Sequence, residues 1–456
     1  MTVLVVLAGG LGKRLGCHRP KPLVELAGQP MIIHILNKAS QLNFKKILVV
    51  VPKQYRELYE ESFEGHPVDI VTQAQQEGTG AALALALPYC EPTDEVLVWY
   101  ADMPLVRLCD VTQVISRGHN QPLSLVTITP SDPSGMGRII RQGSMVSQIV
   151  EEKDATTEQQ TINEVFAGMM MAPKWLLEEL LPMCHTSNNQ SEVLLTDVVK
   201  LANERSHPVQ PIPFPDSDYF LGINLPSQWS QAERILQRDR VLDLQAQGAL
   251  IVDISRCEVR GQVRVGRGVK LDVGVILEGD VILGDGVTVG PYTRIKQSTI
   301  QDNVWVKDHC VVEYTTIHAN STIGPFAYCR VNNTIGEQAK VGAFVELKNT
   351  TIGAKSKAAH LSYLGDAHIA DHVNIGAGVI TCNFDGEKKQ KTIVGTGAFI
   401  GAGVELIAPI TIGQDAFIGA GSTVSKTVEP RCLVIARARQ VAYTDWHDKR
   451  QTADVD

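Results

Sequence analysis

The chain opens on a short apolar run that ends in Leu7-Ala8-Gly9-Gly10-Leu11-Gly12-Lys13-Arg14-Leu15. Glycines let backbone N–H groups approach phosphate oxygens closely, and an arginine in the same turn adds a charge-assisted clamp. Pro20-Lys21-Pro22-Leu23 follows at short range and supplies a second cation. Further on, Trp99-Tyr100-Ala101-Asp102-Met103-Pro104 places a carboxylate where another apolar run stops. A hard oxygen ligand at such a point suits Mg²⁺ bound together with the phosphates of a substrate. Taken singly, a glycine turn is often only a turn, and Asp102 is equally a helix cap or a solvated strand end. The combination specifies phosphate chemistry.

The second half carries one histidine in a suggestive setting, His360 in Ala358-Ala359-His360-Leu361-Ser362-Tyr363-Leu364-Gly365-Asp366. An imidazole titrates near pH 6.5 and is suited to accepting a proton at neutral pH. One of twelve histidines in isolation reads first as structural.

These residues need elements to hold them. Val3–Leu7, Lys46–Val51, Val68–Thr72, Val96–Tyr100 and Leu123–Ile128 read as strands, and Met31–Gln41 and Gly80–Leu87 as helices between them. That alternation predicts a largely parallel α/β sheet covered on both faces, with ligands at the carboxyl ends of the strands. Pro226 then opens a polar stretch, Ser227–Gln247, in which Trp229, Ala232, Leu236 and Leu242 recur at helical spacing. Beyond it the period changes to six: Val259, Val265, Leu271, Leu277, Leu283, Val289 and Ile295, then Ile300, Val306 and Val312, then Ile317 and Ile323. A last run covers Val394, Ile400, Leu406, Ile412, Ile418 and Val424. A triangular coil has that period, one aliphatic residue pointing inward per flat side, as in hexapeptide β-helix repeats. The column reads as broken around 326–363, where an irregular insertion would carry function. The spacing itself does not give the handedness.

Composition bounds the rest. At 456 residues the chain is long enough for two or three domains. Aromatics at 5% against 38 glycines imply tight turns and a core of small aliphatic side chains. A net charge of −8 disfavours nucleic acid or an anionic membrane as the main partner, while leaving room for a local basic pocket. Nine cysteines without a CxxC pair predict free thiols in a reducing compartment. The first positive charges follow the apolar start rather than precede it, and no run approaches the ~18 apolar residues of a membrane span. A cytoplasmic location is expected.

With these motifs in hand, the sequence resembles the sugar-1-phosphate nucleotidyltransferases over its first half. Over nearly its whole length it resembles the bifunctional N-acetylglucosamine-1-phosphate uridyltransferase/glucosamine-1-phosphate N-acetyltransferase family. The resemblance implies a Rossmann-like nucleotidyltransferase domain at 1–225, a connecting helix at 226–248, a left-handed parallel β-helix acetyltransferase domain at 249–440 and a tail at 441–456. In the first domain it implies Leu7, Ala8, Gly9, Gly10 and Arg14 as the nucleotide loop and Lys21 as a phosphate contact. Gln73, Gly78 and Thr79 read uracil, Tyr100 and Ala101 line the nucleotide site, and Asp102 and Asn224 ligate Mg²⁺. Gly137 in Gly135-Met136-Gly137-Arg138 and Glu151 contact the sugar. Arg14 and Lys21 stabilise charge as a sugar-phosphate oxygen attacks the α-phosphate of UTP and pyrophosphate leaves.

For the second domain the resemblance implies His360 as general base while the amine of glucosamine 1-phosphate attacks acetyl-CoA. Glu346 is the residue that would orient it. Arg330, Lys348, Tyr363 and Asn374 hold the sugar phosphate, and Ala377, Asn383, Phe384, Ala402, Ala420 and Arg437 hold acetyl-CoA. The Glu387–Lys391 loop reads either as a contact to the CoA phosphates or as a solvated loop. Cys382 has no nucleophilic part to play. A homotrimer is implied, with each acetyl site between neighbouring coils.

Some positions depart from the family. Ala101-Asp102 stands for Gly-Asp, Phe384 for Tyr, Ala402 for Ser, and no Arg-Pro-Gly turn follows Arg330. Val165-Phe166-Ala167-Gly168 replaces an Ile-Asn-Thr-Gly segment whose Asn contacts the N-acetyl sugar. Phe166 makes no hydrogen bond, and an unpaired buried polar group costs about 1–3 kcal/mol. Either another residue compensates or the pocket takes a different sugar 1-phosphate. A regulatory scaffold built of the same two modules is a third reading, to which intact Arg14, Lys21, Asp102, Asn224 and His360 are opposed.

Overall fold

Val3, Leu4, Val5 and Val6 are all buried, alternately in one apolar cluster and in another on the opposite face of the sheet. A strand covered on both sides requires this. In the computed structural model, described over residues 1–184, 192–215 and 217–447, this strand is β1 (Thr2–Leu7). It is followed by β2 (Lys46–Pro52), β3 (Asp69–Gln73), β4 (Glu95–Tyr100) and β5 (Leu123–Ile128). Then come β6 (Arg138–Gln142), β7 (Met145–Val150), β8 (Val165–Pro173) and β9 (Val209–Phe214). The order across the sheet is β9-β5-β8-β4-β1-β2-β3. β1 is parallel to β2 and β4, β2 to β3, and β5 to β9. β8 runs antiparallel to β4 and β5 and carries the β6–β7 hairpin.

The expected strands are present, the third moved by one residue. The helices expected at Met31–Gln41 and Gly80–Leu87 span Met31–Ala39 and Thr79–Ala86, within the usual fraying of helix ends. Leu7 pairs with Tyr100. The glycine turn and Asp102 therefore leave the sheet side by side at its carboxyl edge.

The chain divides into two compact units, Met1–Leu236 and Gln237–Asp456, and the division falls inside one helix, Pro226–Ala246. Of the predicted stripe, Trp229, Ala232 and Leu236 pack against the core of the first unit. Ala232 and Ile235 pack into the first unit and Val241 and Leu244 into the second, leaving Leu242 exposed. A helix serving two cores need not keep one face.

In the second unit, strands of two or three residues pair in parallel with strands one coil further on. The step is 18 residues from Leu277 to Ile295 and 17 from Ile295 to Val312. Two sides of the coil merge into one 19-stranded sheet and the third forms a 9-stranded sheet. The aliphatic column fills the interior from Val259 to Val424.

The predicted break at 326–363 is absent. Cys329, Ile335, Val341, Leu347, Ile352, Ala358, Leu364, Ile369 and Ile375 continue the column, all buried. The pattern looked broken because Cys329 and Ala358 are not large aliphatics and some sides are one residue short. Through this stretch run the two longest strands of the unit, β10 (Lys340–Lys348) and β11 (Lys357–Gly365), paired in register. The real excursion comes later. Ala367 pairs with Thr392, 25 residues on, and the extra residues form a loop closed by a bridge between Phe384 and Lys389.

All nine cysteines are free, and Cys382 is half-buried. Among the described residues no helix is long and apolar enough to cross a membrane. Of the predicted tail, residues 448–456 lie outside the described residues.

Candidate active sites

Two cavities open at the carboxyl edge of the first sheet and share Tyr100 and Asp102. One, of about 350 Å³, is lined by Leu7, Gly9, Gly10, Lys21, Gln73, Gly78, Thr79 and Ala101. The other, of about 420 Å³, is lined by Arg14, Gly137, Glu151, Phe166 and Asn224. All the residues predicted for the first site line one or the other, with one exception. Ala8 is fully buried, its N–H donates to Val50 O at 2.9 Å and its carbonyl accepts from Tyr59 Oη at 2.9 Å. It has no backbone group left for a ligand, and its part is to brace the turn.

Where the cavities meet, oxygens and cations interleave. The Lys21 ammonium donates to Asp102 Oδ2 at 2.5 Å and to Asn224 Oδ1 at 2.8 Å, and Arg14 donates to the same Asn224 oxygen at 3.0 Å. Gly10 lets Lys21 lie close, since a Cβ there would stand 3.1 Å from Lys21 Cε. Gly78 needs to be glycine on two counts: its φ is +112° and a Cβ would meet Val193 O at 2.4 Å.

In the larger cavity Glu151 is half-buried, and desolvation raises its pKa although the Thr196 hydroxyl donates to it at 3.0 Å. Tyr100 is pushed well above the usual phenol range, again by burial, with Thr79 as hydrogen-bond partner. Phe166 packs edge-on to Tyr100 at 6.1 Å and is part of the apolar core below. Three contributors went unread in the sequence. Gln76 donates to Gly9 O, Gln228 accepts from the Asn224 and Leu225 N–H groups at 2.7 and 2.9 Å, and Thr196 holds Glu151. Gln228 had a signal, standing four residues after Asn224 at the start of a helix.

In the second unit three of the four predicted sugar-phosphate residues, Arg330, Lys348 and Tyr363, share one face. Register sets Tyr328 beside Glu346 and Glu346 beside Tyr363 in successive coils. Arg330 pairs with Glu346 at 3.0 Å, and Lys348 with Asp366 at 3.6 Å. Asp366, not singled out from the sequence, also accepts from Asn349 at 2.9 Å and Asn383 at 2.5 Å. Burial alone would raise its pKa, but these bonds and Lys348 hold it below the ordinary carboxylate value. Asn383 joins this cluster through its Nδ2. His360 is exposed on β11 opposite Ala343, in a continuous strand and not in a break. Glu346 does not orient it, its bond being to Arg330. Asn374 lies on the adjacent side, paired with Lys357.

Ala377, Ala402 and Ala420 stack at one corner of successive coils, their carbonyls accepting from Gly403, Gly421 and Arg437 at 2.7, 2.8 and 2.8 Å. The glycines before the first two are compulsory. A Cβ on Gly376 would stand 2.5 Å from Ala402 N, and one on Gly401 2.5 Å from Ala420 N. Phe384, on the excursion, lies under the Lys389 ammonium at 4.5 Å and is exposed.

A sheet whose carboxyl edge gathers cations, glycines and one carboxylate, followed by a hexad β-helix, defines a nucleotidyltransferase joined to a hexapeptide transferase. Comparison with known proteins agrees. Residues 4–177 match the MobA-like NTP transferase domain, 259–357 the GMPPB C-terminal domain and 391–426 the bacterial transferase hexapeptide (six repeats). The bifunctional protein GlmU of Saccharophagus degradans is 39% identical over 98% of this chain and 99% of its own. That of Stenotrophomonas maltophilia is 40% identical over 97% of each, and that of Acidithiobacillus ferrooxidans 40% over 99% of each. The chain belongs to the bifunctional GlmU family, and its β-helix is of the left-handed hexapeptide kind.

Proposed function

We propose that the chain makes UDP-N-acetylglucosamine in two steps, one per unit. In the second unit the amine of glucosamine 1-phosphate attacks the thioester carbonyl of acetyl-CoA. His360 accepts the amine proton and the CoA thiolate leaves. Arg330, Lys348 and Tyr363 hold the sugar phosphate, and the Ala377–Ala402–Ala420 corner with Phe384 and Arg437 holds acetyl-CoA. In the first unit a phosphate oxygen of N-acetylglucosamine 1-phosphate attacks the α-phosphate of UTP and pyrophosphate leaves. Arg14 and Lys21 hold the phosphates and offset charge, while Gln73, Gly78 and Thr79 face the base and Gly137 and Glu151 the sugar.

The observation that carries this reading is the convergence of Asp102 and Asn224 on one ammonium, 2.5 and 2.8 Å away, at the junction of the two cavities. Two oxygens already sharing a cation there suit Mg²⁺, which takes few protein ligands and completes its shell with phosphates and water. Asp102 and Asn224 are the residues to hold it, and bound there it neutralises charge on the phosphates. A homotrimer fits an exposed corner of Tyr292, His309, Phe326, Phe344 and Leu361, each one coil from the next. The free thiols and the small-molecule substrates fit a cytoplasmic enzyme.

Phe166 favours a second reading of the sugar. It is 6% exposed, forms part of the cavity wall and has no polar group to offer an N-acetyl amide. Under that reading the first unit couples another sugar 1-phosphate. One incubation of the protein with glucosamine 1-phosphate, acetyl-CoA, UTP and Mg²⁺, read by product mass, separates them. UDP-N-acetylglucosamine supports the main reading. Accumulation of N-acetylglucosamine 1-phosphate alone supports the second.

A further inference from the structure

Arg138 is 2% exposed, and few side chains of its size are so deeply buried here. A guanidinium stays charged and is costly to bury without partners. Its partners are unusual in where they lie. Nη1 donates to the carbonyls of Pro133 and Met136, at 2.8 and 2.5 Å, and Nη2 pairs with Glu152 at 2.6 Å. The first two acceptors belong to the turn whose Ser134, Gly135, Met136 and Gly137 line the larger cavity. The ion-pair partner, Glu152, adjoins Glu151, which lines the same cavity. Gly137 completes the closure: its carbonyl accepts from Phe166 N at 2.9 Å, and a Cβ there would meet Ile149 Cγ2 at 2.7 Å. One planar fork thus ties two walls of the cavity, through two carbonyl acceptors on one side and an ion pair on the other. A lysine, with a single point of charge, spans them poorly. Nε finds no partner, so the guanidinium is not placed for its own satisfaction.

We propose that Arg138 is a positioning residue that sets the separation of the 133–137 turn from the Glu151–Glu152 segment, and through it the grip on the sugar end of the substrate. This rests on the larger cavity taking the sugar, as proposed above.

Arg138→Met, which keeps the length of the stem and removes the fork, tests it. The expected result is a rise of tenfold or more in KM for the sugar 1-phosphate. KM for UTP and the acetyl-transfer rate stay within twofold, and Arg138→Lys recovers only part of the loss. A parallel rise in both KM values, or full recovery with lysine, overturns the proposal, since either marks general support of the fold. Glu152→Gln, on a more exposed residue, is the variant to use if Arg138→Met does not fold, with a smaller rise of about threefold in the same KM and none in that for UTP. No change in the sugar KM overturns the proposal. Hydrogen exchange at the 134–137 amides asks the question without substrate. Faster exchange in the variant is expected, and unchanged exchange overturns the proposal whichever sugar the enzyme uses. If the wild-type protein turns over no sugar 1-phosphate, the functional reading fails on that control, separately from Arg138.

Discussion

The two units solve the same problem, gathering charged groups around a sugar phosphate, in opposite ways. In the first, partners come from far apart: Lys21 meets Asp102 across 81 residues and Asn224 across 203. They close around cavities of about 350 and 420 Å³. In the second, partners are one coil apart, Arg330 and Glu346 by 16 residues and Asp366 and Asn383 by 17, on an open side of the stack. A layered sheet converts distant sequence into an enclosed pocket. A solenoid converts its own period into a row of side chains, each coil touching only its neighbours. Damage in the second unit should therefore stay local, while damage in the first should spread through the shared sheet.

The largest effects should come from the chemistry. His360→Ala is expected to lower acetyl transfer by about 10²–10⁴-fold, the usual worth of a general base, and to leave uridyl transfer unchanged. Asp102→Ala should do the converse. Separate assays of the two half-reactions check both, and loss of both activities in either variant would erase the comparison.

Next come glycines that buy close approach. A Cβ on Gly342 would fall 1.8 Å from Ala359 O, so Gly342→Ala must push β10 and β11 apart beside His360. Acetyl transfer is expected to drop at least tenfold, with uridyl transfer intact. Gly168→Ala sets a Cβ 2.6 Å from Met103 Sδ at a φ of +71°. It should damage uridyl transfer by a similar factor and also lower the melting temperature of the first unit, because Met103 is core. An equal thermal loss from Gly342→Ala would blur the distinction drawn here.

Much of this contrast was legible in the sequence, unevenly so. The six-residue column announced the solenoid because every inward side chain reports on the same packing requirement. It faded where Cys329 and Ala358 do that work with less bulk, and an intact stretch looked like an insertion. The strands β1 and β4 and the turn after Leu7 were readable from local pattern alone. β8 was not: its antiparallel pairing with β4 and β5 depends on partners far along the chain. Ala8 read as a ligand contact because a motif does not say which of its backbone groups the fold has already used. Asp366 escaped notice because its importance lies in accepting from Asn349 and Asn383, contacts that exist only once the coils stack.

The smallest expected effect concerns pH, and its sign differs between units. Glu151 has its pKa raised by burial, so the folded state binds more protons than the unfolded one above the ordinary value of 4.5. Stability of the first unit should fall as pH rises from there through the raised value, and Glu151→Gln should flatten that slope. Asp366 is held below its ordinary value of 3.8, so its contribution is present above that value and lost as pH falls through the folded value. Asp366→Asn should remove that acid sensitivity. Denaturant unfolding across pH, followed by hydrogen exchange in each unit, reads both, and slopes of the same sign would contradict the assignment.

The central claim is that two separate sites hand over a released intermediate. Purified His360→Ala and Asp102→Ala proteins, mixed in one tube with glucosamine 1-phosphate, acetyl-CoA, UTP and Mg²⁺, test it most directly. The account predicts UDP-N-acetylglucosamine from the mixture and none from either variant alone. A mixture that yields none, while each variant keeps its remaining half-reaction, would contradict it.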